Sequence, residues 1–255
     1  MSYAIYPGLR DKTVVVTGGG SGIGAEMVSA FAQQGARVHC IDISEADTAR
    51  LRQALAAEGL PITCHVCDLR DLDATAAVFA RIARDGAPIG VLVNNAGRDD
   101  RHRVEAITPA VWEDCMAVNL RHQFFCAQLA AASMRTAQAG VILNMGSASW
   151  HVAVPDLAAY MTAKAGIEGL TRGLARDLGR DGIRVNCIVP GAVRTPRQMQ
   201  LWQTPESEAR LMQGQCLPVR IEPRHVAAMA LFLASDDAGC CSGREYFVDA
   251  GTFGL

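Results

Sequence analysis

The chain has 255 residues, of which 50% are hydrophobic and 20% are charged, and its formal net charge is −2. This length and apolar content fit a folded domain with a sizeable core and exclude an intrinsically disordered protein. Basic residues are scattered, no apolar run approaches the ~20 residues of a membrane-spanning helix, and the first residues do not resemble a signal peptide. We therefore expect a cytoplasmic protein that binds neither nucleic acid nor membrane.

Short β-branched segments alternate with longer segments of helical spacing along almost the whole chain. The predicted strands are uniformly apolar, which is typical of strands buried on both faces, and they cover 12–18, 36–42, 61–68, 90–97, 140–147, 182–191 and 244–251. Helical spacing is found in 23–34, 45–58, 71–84, 109–136, 156–179 and 223–234. This order predicts one α/β domain over 1–255, a doubly wound Rossmann fold whose seven-stranded parallel sheet has helices on both faces.

The first predicted strand leads into the glycine-rich segment TGGGSGIG, which opens the first predicted helix. Glycine allows a sharp turn and a close approach of the backbone to a pyrophosphate, and a helix N-terminus offers unpaired N–H groups. The strict G-x-G-x-x-G fingerprint does not fit, so the turn alone is a weak signal. Its position between strand and helix indicates five candidate cofactor-binding residues, Gly18, Ser21, Gly22, Ile23 and Gly24.

The second predicted strand ends in Asp42, where an acidic side chain can accept hydrogen bonds from the adenosine ribose hydroxyls of a dinucleotide. A carboxylate at this position would also repel a 2′-phosphate. The residue therefore favours NAD over NADP as the cofactor. The alternative is that Asp42 serves as a helix N-cap.

The third predicted strand ends in Asp68 and Leu69, which suit the edge and the face of an adenine. A helix-capping role for Asp68 remains the alternative, and the same role is open to Asp71. The later strand ends supply further candidate cofactor contacts, namely Asn95, Ala96 and Gly97 in NNAG and Pro190, Val193 and Thr195 in PGAVRT.

The nine cysteines show no repeated spacing. Cys64 and Cys67 form a C-x-x-C motif, but on a strand two residues three apart point to opposite faces. We therefore interpret them, and the adjacent Cys240 and Cys241, as buried structural thiols. No set of His and Cys residues has metal-ligand spacing, so no metal site is predicted.

The segment DLAAYMTAKAGIEG contains one phenol, Tyr160, and one ammonium, Lys164, four residues apart. This spacing places both side chains on one face of a helix. Such pairs are common, and only the context gives this one a function.

Together these motifs resemble the short-chain dehydrogenase/reductase family across the whole chain and in the family's order. The resemblance rests on TGGGSGIG, NNAG, Asn119 in VNL, Ser147, YMTAK and PGAVRT. It implies a catalytic tetrad of Asn119, Ser147, Tyr160 and Lys164. It also implies a nicotinamide cofactor held by the glycine turn, Asp42, Asp68, Asn95, Tyr160, Lys164 and Thr195, and a homotetramer.

The resemblance implies that Tyr160 takes the alcohol proton while hydride leaves the same carbon for the nicotinamide ring. An unperturbed phenol has a pKa of about 10, which is too high for a base at neutral pH. The Lys164 ammonium and the oxidised nicotinamide are expected to lower that pKa. Lys164 should also bind the nicotinamide ribose, Ser147 should orient the substrate oxygen, and Asn119 should hold a water that links Lys164 to solvent.

The walls around Tyr160 are expected to select the substrate. A sugar needs several donors and acceptors and an apolar plate, which the candidates Arg98, Asp99, Ser149, Trp150, His151 and Met161 offer. An internally paired charge cluster is the alternative interpretation of RDDRHR (98–103). The insertion at about 192–222 lies at the strand ends, where a substrate lid is expected, with a packed helical hairpin as the alternative.

The chain also resembles the bacterial sugar dehydrogenases of this family, which oxidise an aldose at C1 to the lactone with NAD. It departs from their pattern at Arg98 and Met161, where they carry Asn and Glu. The sugar therefore stays open between a pentose such as D-xylose or L-arabinose and a related hexose. Two other functions are weighed, a carbonyl reductase of the 3-oxoacyl reductase type and a non-catalytic NAD-sensing binding protein.

Overall fold

The computed structural model describes residues 3–84, 87–202 and 204–252. Its centre is one parallel sheet with the strand order β3-β2-β1-β4-β5-β6-β7. The strands are β1 (Thr13–Thr17), β2 (Arg37–Asp42), β3 (Thr63–Val66), β4 (Ile89–Asn94), β5 (Gly140–Met145), β6 (Ile183–Pro190) and β7 (Glu245–Val248). All seven predicted strands are therefore confirmed, with ends that shift by a few residues.

Helices cover both faces of the sheet, in agreement with the predicted doubly wound fold. They are α1 (Gly22–Gln33), α2 (Glu45–Ala57), α3 (Leu72–Arg84), α4 (Pro109–Met116), α5 (His122–Ala137), α6 (Ala158–Leu178), α7 (Pro196–Leu201), α8 (Pro205–Gln213) and α9 (Pro223–Ala234). In β1, Val14 and Val16 pack in a core with α1 and α9, whereas Val15 packs in a second core with α3 and α5. Because successive strand residues point to opposite faces, two covered faces require an uninterrupted apolar strand.

The predicted helix over 109–136 is interrupted, which corrects the expectation of one continuous helix. A π-helical turn, Ala117–Arg121, separates α4 from α5. Asn119 lies at its centre, and its side-chain amide donates to the Cys115 carbonyl at 3.0 Å and to the Arg98 carbonyl at 3.1 Å. Wider turns of this kind occur frequently at functional sites. This one turns Asn119 towards the loop that follows β4.

The insertion after β6 contains α7 and α8 and returns to the body of the molecule at Ile221. Thr195 caps α7 and Thr204 caps α8, each through its side-chain hydroxyl. A parallel bridge between Val193 and Ile221 closes the base of the insertion. The two short helices therefore extend from a fixed base beside the carboxyl ends of the strands.

The nine cysteines all lie in the described part of the chain and are free thiols. Cys67 is buried, as predicted, but Cys64 and Cys241 are only partly buried and Cys240 is exposed. The prediction of a buried thiol is wrong for Cys240, because the chain turns outward between α9 and β7. Among the described residues, no helix is both long and apolar enough to span a membrane.

Candidate active site

The carboxyl ends of the strands open into one cleft of about 700 Å³. It is lined by all the predicted cofactor-binding residues, namely Gly18, Ser21, Gly22, Ile23, Gly24, Asp42, Asp68, Leu69, Asn95, Ala96, Gly97, Tyr160, Lys164, Pro190, Val193 and Thr195. Ser147 lines the same cleft. Asn119 lines an adjoining cavity of about 350 Å³, which it shares with Tyr160. The structure thus brings the predicted residues together from the ends of six strands.

The glycine turn leaves no room for a side chain at Gly18 or Gly24. A Cβ on Gly18, whose φ is +61°, would lie 2.7 Å from Ala96 Cα. One on Gly24 would lie 2.0 Å from the Gly18 carbonyl oxygen. Asn95 stabilises the turn, because its side-chain amide donates to the carbonyls of Thr17 and Gly18 at 3.0 and 2.9 Å. A bare backbone at a helix N-terminus fits the pyrophosphate of a dinucleotide.

Asp42 connects the end of β2 to the glycine turn. Its carboxylate accepts hydrogen bonds from the backbone N–H groups of Gly20 at 2.8 Å and Ser44 at 2.9 Å. The N-cap of α2 is Ser44, whose hydroxyl accepts from Asp47 N. The alternative interpretation of Asp42 as an N-cap is therefore wrong. Asp42 and Asp47 both line the cleft, so this part of it is acidic.

Asp68 is held by an arginine that the sequence did not single out. Arg70 donates to both Asp68 carboxylate oxygens, with distances between 2.7 and 3.0 Å. This hydrogen-bonded ion pair lowers the pKa of Asp68. Asp71 provides the capping contact instead, since its carboxylate accepts from Ala74 N at 2.9 Å. Asp68 keeps its place in the cleft lining as a carboxylate already paired with Arg70.

Tyr160 and Lys164 lie on α6 and face Ser147 at the end of β5. Lys164 Nζ donates to the Met145 carbonyl at 2.9 Å and lies 5.5 Å from the centroid of the Tyr160 ring. The Ser147 hydroxyl is 2.8 Å from the Ser149 hydroxyl. A hydroxyl, a phenol and an amine thus meet within the cleft, which is the arrangement needed to move a proton from an alcohol.

The protein surroundings raise the pKa of Tyr160, whereas the lowering expected from Lys164 together with an oxidised nicotinamide stays a prediction. Burial raises the pKa of Tyr160, a hydrogen bond to Ser147 acts in the opposite direction, and the negative charge of Asp99 raises the pKa further. Burial lowers the pKa of Lys164 to about 8. Desolvation is the largest effect on both groups, because it disfavours the charged form of each.

Asn119 is only 1% exposed, and its side chain is fully engaged with the protein. Its oxygen accepts from Arg98 N at 2.8 Å, and its amide group donates to Arg98 and Cys115. The structure therefore assigns this side chain the task of joining the π-helical turn to the loop after β4. The water expected beside Asn119 stays a prediction.

Three of the six predicted substrate residues line the cleft, namely Arg98, Asp99 and Ser149. Trp150, His151 and Met161 are not among the described residues that line it, so their contact with a substrate stays a prediction. Trp150 and His151 turn away because both side chains contact Glu168 of α6. Met161 lies in the first turn of α6, directly after Tyr160. Neighbouring residues of a helix point in different directions, so Met161 does not point into the cleft as Tyr160 does.

The loop after β4 contacts the insertion directly. Arg197 of α7 pairs with Asp99 at 3.3 Å and with Asp100 at 2.9 Å, and the Gln198 amide donates to Asp99 at 2.7 Å. Arg98 in turn pairs with Asp100 and Asp114. The interpretation of RDDRHR as a charge cluster holds in part, but its partners come from the insertion and from α4 as well. Sequence spacing carried no signal for these distant contacts.

His122 is a further cleft residue that the sequence analysis missed. It is 1% exposed, and its Nε2 lies 3.1 Å from the Ala96 carbonyl. Burial lowers the pKa of His122 to about 4, so the ring is neutral at neutral pH. No sequence signal pointed to it, because the π-helical turn that places it beside the cleft was itself not predicted.

Known proteins are similar to this sequence over nearly its full length. Residues 18–252 match the family model described as enoyl-(acyl carrier protein) reductase. The D-xylose 1-dehydrogenase of Caulobacter vibrioides is 53% identical over 98% of this chain and 99% of its own. The Rhizobium meliloti protein named "Probable galactose dehydrogenase GalD" is 45% identical over 97% of both chains. A solved 3-oxoacyl-[acyl-carrier protein] reductase from Brucella melitensis with bound NAD matches with a TM-score of 0.88 at 30% identity, covering 98% of this chain and 94% of that one.

Proposed function

The chain belongs to the short-chain dehydrogenase/reductase family, and on that premise we propose that it oxidises an aldose at C1 to the lactone with NAD. The observation that carries the proposal is the convergence of Ser147, Tyr160 and Lys164 on the cleft that begins at the glycine turn. The names of the D-xylose and galactose dehydrogenases to which the chain is similar support a sugar as the substrate.

The bound nicotinamide dinucleotide would supply a hydride acceptor. Tyr160 accepts the proton of the C1 hydroxyl as the C1–H bond breaks, and the carbonyl of the lactone forms at the same carbon. Ser147 donates a hydrogen bond to the substrate oxygen, and its own hydroxyl is oriented by Ser149 at 2.8 Å. General-base catalysis of this kind typically contributes about 10²–10⁴ in rate.

Lys164 is suited to pass protons as well as to hold charge. Its pKa of about 8 means that both forms of the amine are populated near neutral pH. The Met145 carbonyl holds Nζ in place at 2.9 Å in either form. Lys164 can therefore favour the phenolate of Tyr160 when charged, and it can release a proton towards the adjoining cavity that Asn119 lines.

The residues around the adenosine end of the cleft support NAD as the cofactor. Gly18, Gly22 and Gly24 would hold the pyrophosphate, and Asp42 would accept hydrogen bonds from the ribose hydroxyls. A 2′-phosphate would meet the carboxylates of Asp42 and Asp47, and close like charges repel strongly. Thr195, Pro190 and Val193 would contact the nicotinamide carboxamide.

The substrate wall contains Arg98, Asp99 and Ser149, together with α7 and α8 as a lid. Three polar side chains on the wall of a concave cleft suit a ligand with several hydroxyl groups. The proposal further includes the cytoplasmic location expected from the sequence and a homotetramer, which the family resemblance implies. Size-exclusion chromatography with light scattering tests the tetramer, and the mass of a monomer in solution would reject it.

The experiment that tests the proposed function is a substrate panel. The purified protein is mixed with NAD or NADP and with D-xylose, L-arabinose, D-galactose and other aldoses, and reduced dinucleotide is followed at its absorbance maximum. We expect turnover with an aldose and NAD, with lactone or aldonic acid as the product. Reduction of a 3-oxoacyl thioester with NADPH, in the absence of sugar oxidation, would establish the carbonyl reductase instead. NAD binding without turnover of either substrate would establish a binding protein.

A further inference from the structure

Glu168 is a buried carboxylate that the proposed reaction does not use. It lies on α6 four residues after Lys164 and is 8% exposed. A carboxylate is costly to bury unless hydrogen bonds replace its contacts with water. The partners of Glu168 therefore identify the contact that this charge maintains.

Both hydrogen bonds of Glu168 go to the segment that follows Ser147. Trp150 Nε1 donates to Glu168 Oε1 at 3.0 Å, and His151 Nε2 lies 2.9 Å from the same oxygen. The Trp150 and His151 rings lie tilted against each other with centroids 3.7 Å apart, and the rings of His151 and Phe247 of β7 form an edge-on contact. The segment is thus clamped between α6 and β7.

The clamped segment includes the residue that faces the substrate oxygen. Residues Ala148–Trp150 form a 3₁₀ helix whose N-cap is Ser147, and the Ser147 hydroxyl accepts from Ser149 N at 3.2 Å. Trp150 and Ser147 are therefore joined by one short turn of backbone. Any movement of Trp150 relative to α6 would carry Ser147 with it.

The base lies on the same helix as the clamp. Tyr160, Lys164 and Glu168 follow one another at intervals of four residues, so they share one face of α6. The helix thus presents Tyr160 to the substrate and, two turns later, holds the segment that contains Ser147.

We propose that Glu168 is a positioning residue that fixes the Ser147 hydroxyl relative to Tyr160 through Trp150 and His151. The proposal rests on the proposed function, because it assumes that Ser147 and Tyr160 act on one substrate alcohol. Misplacement of a reacting group by about 1 Å can cost roughly 10²-fold in rate. Trp150, His151 and Glu168 are not among the described residues that line the cleft, so the clamp is expected to act on kcat and not on dinucleotide binding.

The test compares Glu168→Leu and Glu168→Gln with the wild-type enzyme, on the alcohol that the wild-type enzyme oxidises. Leucine keeps much of the volume and removes the acceptor, whereas glutamine keeps an oxygen that can accept both hydrogen bonds. We expect kcat and kcat/KM of Glu168→Leu to fall together by about 10- to 100-fold, since the lost alignment matters in the transition state. The affinity for NADH should stay at the wild-type value, and Glu168→Gln should keep most of kcat.

Glu245→Leu is the matched control. Glu245 is also a largely buried carboxylate between β7 and α6, where it accepts from Arg172 at 2.9 Å, but it does not contact the Ser147 segment. We expect this variant to lose thermal stability and to keep its kcat. A general loosening of α6 would lower kcat equally in both leucine variants and would overturn the proposal.

Trp150→Phe provides a second test, which can still be carried out if Glu168→Leu does not fold. It removes one donor to Glu168 and should lower kcat with unchanged NADH affinity. In the double variant with Glu168→Gln, Trp150→Phe should lower kcat by the same factor as it does alone, or by a smaller factor. The reason is that both changes affect one contact. Wild-type kcat in Trp150→Phe would overturn the proposal. Absence of any turnover in the wild-type enzyme would instead reject the proposed function.

Discussion

Burial and charge act against each other at Tyr160. Its four-residue spacing to Lys164 places a cation 5.5 Å from the ring, yet desolvation raises the pKa of the phenol and lowers that of the amine to about 8. A phenolate therefore requires more positive charge than Lys164 provides. The positive ring of an oxidised nicotinamide would supply it, which ties the basicity of Tyr160 to the loaded cleft.

The carboxylate of Asp99 gives a pH dependence that can be tested. Its negative charge raises the pKa of Tyr160, so Asp99→Asn should lower that pKa. The oxidation requires the deprotonated phenol, and the acid limb of the kcat/KM profile should therefore move to lower pH. The measurement is kcat/KM for the sugar between pH 6 and 10, in steps of about half a pH unit.

Asp100→Asn is the matched control for this profile. Asp100 also pairs with Arg197, but it is not among the charges that shift the pKa of Tyr160. Its acid limb should stay at the wild-type position. An unchanged profile in Asp99→Asn, or a shift to higher pH, would contradict the electrostatic account.

At the scale of elements, the insertion after β6 is joined to the loop after β4 by Arg197 and Gln198 of α7. Arg197→Gln removes the ion pairs with Asp99 and Asp100, whose distances are 3.3 and 2.9 Å. Partly exposed ion pairs contribute little individually, about 0–1 kcal/mol, so we expect KM for the sugar to rise by roughly two- to fivefold. The KM for NAD should change less, and both constants come from initial rates.

Arg210→Gln in α8 is the control that distinguishes the loss of the Arg197 ion pairs from a general effect of lost positive charge. Among the side-chain hydrogen bonds of the described residues, the Arg210 side chain donates only to the Glu206 carbonyl within its own helix. This variant should keep the wild-type KM for the sugar. Equal KM increases in both variants would show that the contact with Asp99 and Asp100 does not matter for substrate binding.

Elements that depend on neighbouring residues could be predicted from the sequence, and elements that depend on distant contacts could not. The strands were predicted because a strand that is buried on both faces needs a continuous apolar run, as in β1. The π-helical turn was not, since it depends on contacts between Asn119 and Arg98 across 21 residues. The contacts of Trp150 and His151 with Glu168 were not predicted either, because the local sequence pattern does not show which distant residue these side chains meet.

At the scale of the whole molecule, the parallel sheet brings distant residues to one edge. Gly18, Asp42, Asn95, Ser147 and Thr195 follow five different strands, and all line the same cleft. A parallel sheet places all carboxyl ends on one side, which is why one motif per strand sufficed to predict residues that the structure brings into one cleft. The surroundings of Tyr160 could not be predicted as well, because they depend on how the loop after β4 meets α7.

Dinucleotide binding should stabilise the whole chain, because the cleft joins the ends of most strands. A ligand at 100 times its Kd adds about 2.7 kcal/mol to the free energy of unfolding. For a chain of this size that corresponds to an increase in Tm of roughly 5–10 °C. Thermal unfolding followed with NADH and with NADPH at the same concentration checks this. Equal stabilisation by NADPH would contradict the role assigned to the acidic end of the cleft.

The central claim is that Tyr160 deprotonates the substrate alcohol within the dinucleotide cleft, and Tyr160→Phe tests it most directly. The change removes one oxygen atom and keeps the ring against Lys164. Turnover of the aldose is measured by NADH formation, and binding of NADH by its fluorescence. The account predicts NADH affinity close to wild type and a kcat at least about 10²-fold lower. A phenylalanine variant that oxidises the sugar at the wild-type rate would contradict it.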